Sequence, residues 1–287
     1  MISLLNPVLE DADKFPLLPP LVLAIEDAVD SPESSFEDIA RIVESDADLA
    51  SRFLALANSC FYNYPITIAS IPDALSVIGL RNTRNVSLSL SLPRVLKQTP
   101  EFPVPTDQFW RHNIAVGLCA RLIALESRDA NTERHFFAGF LHKIGRPLIA
   151  NLFPEEAKDI YRRTQKKEIH YQQAAHSALG FDDAEVGAAA LQHWRFPENI
   201  VTLVRHHNKP VLARNHLRGV SLVHIANFIV SALDLGESGD RFVPEFSEAA
   251  WGYSNFDESK LSTIVAELLR QLDSVCHVFL SPKIESR

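Results

Sequence analysis

Apolar residues recur at helical spacing along almost the whole of this 287-residue chain. Near its start, Leu21, Ala24, Ile25, Ala28 and Val29 fall at positions i, i+3, i+4, i+7 and i+8, which places their side chains on one face of an α-helix. No stretch alternates apolar and polar residues for long enough to predict a β-sheet. The sequence therefore predicts an all-α protein, a bundle of amphipathic helices.

Residues that favour helix ends mark several boundaries in the first hundred residues. Ser35, which has an acid three residues later, is typical of a capping box. Asp46 or Asp48 is expected to begin the next helix, and Ser70 another, which Gly79 is placed to close. Residues 1–100 are thus predicted to form an N-terminal helical subdomain.

A stretch interrupted by prolines, from Pro93 to Pro105, is the expected boundary of that subdomain. Beyond it, Thr106 is suited to cap a long helix. Further helices are predicted at 135–151, 155–167, 184–194, 197–207 and 216–235. Residues 101–235 are thus predicted to be a second helical subdomain. The rest, 236–287, is predicted to be an extension made of a loop, 236–255, and a last amphipathic helix.

Charge and cysteine content argue against two classes of protein. The net charge of -8 gives no broad attraction to phosphate backbones, so no nucleic-acid partner is expected. Cys60, Cys119 and Cys276 lie far apart and form no C-x-x-C pair, which argues against a zinc knuckle or a disulfide framework.

No membrane association is expected either. The most apolar window, 219–235, is interrupted by His224, Asn227 and Asp234 and falls short of a membrane span. The N-terminus has neither the basic start nor the long apolar run of a signal peptide. These features predict a cytoplasmic protein.

Histidines are the residues of this sequence most suited to metal chemistry. Of the eleven in the chain, five lie on predicted helices where a metal site is conceivable: His112, His142, His193, His206 and His207. A metal ion in a phosphohydrolase needs imidazole ligands together with carboxylates, which offset its charge and orient the attacking water. The residues around these histidines therefore decide between a catalytic site and a vestigial one.

A series of short blocks, in order along the chain, resembles the signature of the HDOD family. The blocks are Leu18-Pro19-Pro20, residues 42–52, Leu56-Ala57-Asn58-Ser59, Ala74-Leu75, Ile78-Gly79-Leu80-Arg81, Trp110 with His112, residues 138–146, residues 184–188, Trp194, Phe196-Pro197-Glu198 and Arg205-His206-His207. The resemblance covers roughly residues 15–230.

The resemblance implies an all-helical fold related to the HD-domain metal phosphohydrolases, in a family generally regarded as non-enzymatic and regulatory. It implies a role in bacterial signal transduction, in two-component or cyclic-dinucleotide pathways. The implied partners are signalling proteins such as a diguanylate cyclase, a response regulator or a kinase. The chain contains no P-loop and no G-x-G-x-x-G segment, so no organic cofactor is expected.

Three positions separate this chain from an active HD enzyme. Such enzymes carry Asp directly after the motif His, whereas this sequence has His142-Lys143. An ammonium at about 4 Å from a divalent ion costs about 8 kcal/mol at an effective dielectric of about 20. Asp183 stands where the family often has His, and Asn227 where the enzymes place a late Asp ligand.

We therefore expect a vestigial pocket that contains no catalytic residue and no tightly bound metal. Its predicted members are His112, His142, Lys143, Asp183, His206, His207 and Asn227. Any residual metal would use His112, His142 and His206.

Two other functions stay open on the sequence. A metal-dependent phosphohydrolase acting on a nucleotide or cyclic dinucleotide could use Asp183 and Glu185 as an acid/base pair, although placement of acids at a helix N-terminus explains both residues equally well. A sensor that binds a nucleotide without hydrolysing it would need four cations to converge on a phosphate: Arg81, Arg84, Lys143 and Arg146.

Overall fold

A computed structural model describes residues 15–96, 102–166 and 169–281. Within these ranges the protein is all-α and has no β-strand, which confirms the predicted fold class. The predicted absence of a signal peptide concerns residues that lie outside the described ranges. The same holds for part of the predicted boundary from Pro93 to Pro105, for the predicted helix end at 167, and for the ends of the predicted segments 1–100 and 236–287.

The α-helices in these ranges are, in chain order, α1 (Pro20–Asp30), α2 (Phe36–Glu44), α3 (Ala47–Ala57), α4 (Ile71–Ile78), α5 (Leu80–Val95), α6 (Thr106–Glu126), α7 (Glu133–Leu141), α8 (Gly145–Leu152), α9 (Pro154–Lys166), α10 (Tyr171–Leu179), α11 (Asp183–His193), α12 (Glu198–His206), α13 (Leu217–Ala232), α14 (Glu248–Ser254) and α15 (Leu261–Leu280). Two short 3₁₀ turns, Pro210–Leu212 and Glu258–Lys260, connect neighbouring helices.

Residue contacts divide the chain into two compact units. The larger unit comprises Met1–Pro16 and Leu96–Leu269, and the smaller unit comprises Leu17–Val95 and Arg270–Arg287. The region expected to be a C-terminal extension, 236–287, is thus shared between the two. The predicted division of the chain at 100 and 235 stays a prediction.

In the smaller unit, polar side chains begin the helices where the sequence predicts them. Ser35 caps α2 in a capping box, Asp46 accepts a hydrogen bond from a backbone N–H at the start of α3, and Ser70 does the same for α4. Gly79 ends α4 with a φ of 83°, a left-handed value that favours glycine. Of the two candidates for the α3 cap, Asp46 is the cap, because the Asp48 carboxylate binds Arg94 instead.

Arg84, one of the four cations considered for phosphate binding, also lies in the smaller unit. Its guanidinium donates to the carboxylates of Glu26 and Asp30, so its charge is matched by acids of α1. Arg81 is exposed.

In the larger unit, α6 is buried on nearly every side and packs mainly against α7 and α13. The close approach of α6 and α7 depends on two glycines that face each other. A methyl group added to Gly139 would lie 2.7 Å from the Cα of Gly117, a distance that real side chains do not reach. His112 lies on α6 and His142 directly follows α7, so this crossing brings the two histidines together.

Four predictions about the larger unit are wrong in detail. The helix expected at 135–151 is two helices, α7 and α8, separated by a turn at residues 142–144. No helix was predicted at α10, whose buried residues are Tyr171, Ala174, Ala175 and Leu179. The expected loop 236–255 contains α14, capped by Ser247. Thr106 makes no cap, because it is already the first residue of α6 and follows Pro105.

None of the helices at 15–96, 102–166 and 169–281 has both the length and the apolar character that a bilayer span requires.

A buried histidine and cation cluster

Three histidines from separate segments of the larger unit meet in its interior. His112 lies on α6, His142 directly follows α7, and His207 directly follows α12. All three are buried. The ring centroids of His112 and His142 are 5.7 Å apart, and those of His142 and His207 are 5.0 Å apart. We call these three residues the histidine cluster.

Backbone carbonyls fix how two of the rings are protonated. His142 Nδ1 lies 2.6 Å from the carbonyl oxygen of Gly139, and His207 Nδ1 lies 2.7 Å from that of Val204. Since a carbonyl oxygen only accepts, both Nδ1 atoms carry the proton, and each Nε2 presents a lone pair. Histidines that bind metals in proteins are held in this same way.

Asn227, a residue of α13, contacts the histidine cluster at His142. Its side-chain Oδ1 lies 3.2 Å from His142 Nε2. Because the neutral ring offers only a lone pair there, a hydrogen bond requires the amide to present its nitrogen, which a half-turn of the amide achieves. Asn227 can thus satisfy His142 without bringing charge.

Lys143 directs its ammonium into the cluster. Its Nζ lies 3.3 Å from His112 Nε2 and 3.2 Å from Asp240 Oδ2, and the residue is only 1% exposed. The ammonium therefore donates to a ring nitrogen that would otherwise be free to bind a metal ion.

Arg146 forms a second buried pair beside the first. Its Nε donates to Asp183 Oδ2 at 2.7 Å and its Nη2 to Asp240 Oδ2 at 2.7 Å. The other oxygen of Asp240 accepts from the backbone N–H of Tyr171 at 3.0 Å. Together with Lys143 these groups form what we call the cation network: Lys143, Arg146, Asp183 and Asp240. Its two cations are matched by two carboxylates.

A glycine makes the cation network possible. A methyl group added to Gly145 would lie 1.9 Å from the carbonyl oxygen of Asp183, so no other residue fits where the start of α8 approaches the start of α11. This approach places Arg146, the next residue in α8, within hydrogen-bond distance of the Asp183 carboxylate.

Burial sets the charges of these groups. It lowers the pKa of His112 and His142 well below 6.5, with the charge of Lys143 acting in the same direction, and it lowers the pKa of His207 to about 4. It also lowers the pKa of Lys143 from 10.5 to about 8. Burial opposes ionisation of Asp240, but Arg146 and Lys143 outweigh it and hold the pKa of that carboxyl well below its usual range. At neutral pH the rings are neutral and the ammonium is charged.

The structure brings together most, but not all, of the residues predicted for the pocket. His206 is the exception: it is only partly buried at the end of α12, and the next residue, His207, turns inward to meet His142. The imidazoles available to a residual metal are therefore His112, His142 and His207. His193 lies elsewhere, its ring 5.7 Å from that of Phe15.

The structure also shows what contacts are made by Glu185 and by the cations that the sequence offered for a phosphate. The Glu185 carboxylate accepts from the backbone N–H of Asp182 at 2.9 Å in the capping box of α11, so it is engaged as a helix cap. Lys143 and Arg146 do converge, but on carboxylates of the protein itself.

Asp240 is the functional residue that the sequence analysis missed. It lies 97 residues from Lys143 in the chain, in a stretch rich in the residues typical of loops. No local pattern marks it, because its role depends only on contacts with distant residues.

The donor set does not fit a divalent metal ion as it stands. Across the described ranges, no three side chains of His, Cys, Asp or Glu are grouped so that they could hold a metal. The ammonium of Lys143 contacts His112 Nε2, and both nearby carboxylates are already bound to cations.

Solved structures of similar proteins share this fold. An HDOD domain protein of unknown function from Geobacter sulfurreducens is 25% identical, with a TM-score of 0.74, and the match covers 96% of this chain and 99% of that one. A protein from Shewanella amazonensis SB2B with the provisional name of a phosphohydrolase is 22% identical, with a TM-score of 0.74 and coverage of 94% and 97%. One from Marinobacter aquaeolei VT8, provisionally named a signal transduction protein, is 23% identical, with a TM-score of 0.72 and coverage of 97% and 62%.

Sequence comparisons give the same family. A protein of uncharacterised function from Treponema pallidum (strain Nichols) is 28% identical over 236 residues, which are 81% of this chain and 45% of that protein. The chain thus spans less than half the length of this curated relative. The pattern of the HDOD domain matches residues 15–210, which is more than half of the chain. With the histidine positions and the all-helical fold, this match shows that the chain belongs to the HDOD domain family.

Proposed function

We propose that this chain is a non-catalytic regulatory module of signal transduction, in which an internal ammonium takes the place of a catalytic metal ion. The observation that carries the proposal is the contact of 3.3 Å between Lys143 Nζ and His112 Nε2. The lysine head group lies inside the cluster and is not turned out to solvent.

The charges of the cation network support this proposal. Lys143 and Arg146 together neutralise Asp183 and Asp240, so an added divalent ion would find no uncompensated carboxylate there. It would also meet the ammonium at short range, at a cost of about 8 kcal/mol for a separation of about 4 Å and a dielectric of about 20. Three neutral imidazoles alone offer no charge to offset this repulsion.

A regulatory role follows the general character that the resemblance implies for HDOD proteins. The partners we propose are signalling proteins of the diguanylate cyclase, response regulator or kinase type, bound through the helical surfaces. A cytoplasmic location stays a prediction from the sequence.

A metal-dependent phosphohydrolase is the second candidate, and one observation favours it. The Nδ1 protons of His142 and His207 are bound to backbone carbonyls, which leaves both rings with a lone pair on Nε2, the tautomer that metal-binding histidines often have. For this activity Lys143 would have to lose its proton or leave the cluster.

Metal content separates the two candidates. The protein is purified without chelator, and bound metal is measured by elemental analysis for the wild type, for Lys143→Asp and for Lys143→Met. The proposal predicts that the wild type holds far less than one equivalent, that K143D gains metal because a carboxylate replaces the ammonium, and that K143M gains little because it adds no charge. Near-stoichiometric metal in the wild type, with hydrolysis of a nucleotide or cyclic dinucleotide, would establish the hydrolase instead.

A further inference from the structure

A polar cavity of about 330 Å³ lies in the larger unit, outside the histidine cluster. Its walls come from α10, from the start of α11, from the turn after α12, from α13 and from residues 244–245. None of the groups that form the cation network lines it. Since water occupies about 30 Å³ per molecule in the liquid, the cavity has room for roughly ten non-hydrogen atoms.

His224 contributes a buried hydrogen-bond acceptor to this cavity. The residue is 4% exposed, and its Nδ1 lies 2.9 Å from the carbonyl oxygen of His207. Because that carbonyl can only accept, the proton sits on Nδ1 and Nε2 carries a lone pair. Nε2 has no hydrogen-bond partner within the protein. An unpaired acceptor at such a depth is costly, and a ligand with an N–H group would satisfy it.

Other lining residues add an unpaired acceptor and two acids. Gln172 Oε1 is buried without a partner, and Asp182 and Glu245 add two carboxylates. One Asp182 oxygen accepts from a backbone N–H of α11, which leaves the other oxygen for a ligand.

Hydrogen-bond donors also line the cavity, among them the side chains of Gln173 and Ser177, which can both donate and accept. Asn208 Nδ2 is buried without a partner, and the ammonium of Lys209 is the one full positive charge among the lining residues. Burial, together with the nearby Asp183 carboxylate, raises the pKa of Asp182 to about 7, and a bound cation would favour its ionised form. With Asp182 ionised, the two carboxylates outweigh the one ammonium. A matching ligand therefore brings several N–H donors and a positive charge.

We propose that this cavity binds a small organic cation of the guanidinium or amidinium type, which donates N–H groups to His224 Nε2 and to the Asp182 carboxylate. A planar cation with several N–H groups can serve both acceptors at once, as arginine does with carboxylates. Such a ligand would be the signal that the proposed regulatory module detects. The inference does not rest on the absence of catalysis, since it uses none of the groups that decide whether a metal binds.

The test is calorimetric titration of the full chain with a matched pair of probes, n-butylguanidinium and n-butylurea. The two molecules have nearly the same shape and size, but only the first is charged, and n-butylurea carries an acceptor oxygen in place of one NH2 group. We expect saturable binding of n-butylguanidinium at one site per chain and at least tenfold weaker binding of n-butylurea, because hydrogen bonds to charged groups are the stronger ones. Equal affinity for the two probes, or no saturable binding of n-butylguanidinium up to tens of millimolar, overturns the proposal.

Two variants locate the site. Asp182→Asn removes the charge but keeps a residue that caps α11 equally well. His224→Asn retains an N–H donor for the His207 carbonyl but removes the Nε2 acceptor. Each should bind n-butylguanidinium at least tenfold more weakly, whereas Lys143→Met, which changes the cation network and its contact with His112 but no residue that lines the cavity, should bind it as the wild type does. Wild-type affinity in both D182N and H224N refutes the assignment.

Nitrogen NMR of the wild type gives a readout that does not depend on variants folding. The His224 Nε2 resonance should shift as n-butylguanidinium is added, because an unpaired lone pair then accepts a hydrogen bond. Saturable binding that leaves this resonance unmoved places the cation elsewhere and overturns the proposal.

Discussion

Replacement of Lys143 by Met should stabilise the protein at neutral pH. Burial lowers the pKa of Lys143 from 10.5 to about 8, which means that the folded state holds the ammonium less well than the unfolded chain does. At about 1.4 kcal/mol for each tenfold change in proton affinity, the charged lysine costs about 3 kcal/mol of folding free energy. Methionine keeps an apolar stem of similar length and removes the charge.

Asp240, the carboxylate that loses Lys143 in this variant, keeps two other hydrogen-bond donors. Asp240 retains the Arg146 guanidinium at 2.7 Å and the Tyr171 N–H at 3.0 Å. We therefore expect Lys143→Met to raise the free energy of unfolding by about 3 kcal/mol at pH 7. Urea unfolding followed by tryptophan fluorescence measures this, since Trp110, Trp194 and Trp251 all lie in the larger unit with Lys143.

The difference in unfolding free energy between Lys143→Met and the wild type should also depend on pH, which gives a sharper test. Between pH 8 and 10.5 the unfolded lysine is still protonated while the folded one is not, so the wild type should gain stability as the pH rises through this window. The K143M protein lacks this group, and its advantage should shrink to nearly nothing by pH 10.5. The reasoning is refuted if the wild type loses stability relative to K143M across the same window, since Lys143 would then have a raised pKa in the folded protein.

Three further predictions concern packing, protonation and helix capping. Gly145→Ala should destabilise the larger unit by roughly 3 kcal/mol or more, because a methyl group meets backbone at 1.9 Å. Gly252→Ala, with nothing within 4 Å of the new carbon, should instead raise stability by up to about 1 kcal/mol in the same denaturation assay, because alanine favours a helix interior. As the pH falls from 6.5 to about 4, His207 takes up a proton in the unfolded chain but not in the folded one, so wild-type stability should decline over this window, and His207→Asn, compared by acid titration, should decline less. Ser35→Ala should cost about 1 kcal/mol through loss of the α2 cap, measured by thermal unfolding; an unchanged stability would contradict the capping assignment.

The parts of the fold that depend on local sequence were predictable. Ser35, Asp46 and Ser70 each cap a helix by bonding a backbone group three residues away, and such contacts are fixed by neighbours in the chain. The break between α7 and α8 was not, because no proline or glycine lies within residues 142–144, and Gly145 and Pro147 come only after the turn. The residue that follows the turn, Gly145, lies against the backbone of α11, a contact between residues far apart in the sequence.

The candidate site was likewise predictable from the sequence only in part. The substitution of Lys143 for an acid is readable from its neighbour His142, and the resemblance to a family pointed to His112 and Asn227. The choice between His206 and His207 was not readable, because adjacent residues at a helix end point in different directions and only the structure shows which one turns inward. The role of Asp240 could not be predicted from the sequence, because its partners, Lys143 and Arg146, lie more than ninety residues away.

The dependence of the cation network on Asp240 sets a lower limit on the length of a stable fragment. A fragment cut at residue 210, where the HDOD match ends, would keep Lys143, Arg146 and Asp183 but lose Asp240. Lys143 would then lose its carboxylate partner, and a buried charge left without its partner costs roughly 3–5 kcal/mol. In Lys143→Met, by contrast, the group that loses a partner is Asp240, which keeps the Arg146 guanidinium. For chimaeras and domain exchanges, the unit that must travel together therefore runs at least thirty residues beyond the sequence pattern by which the family is identified.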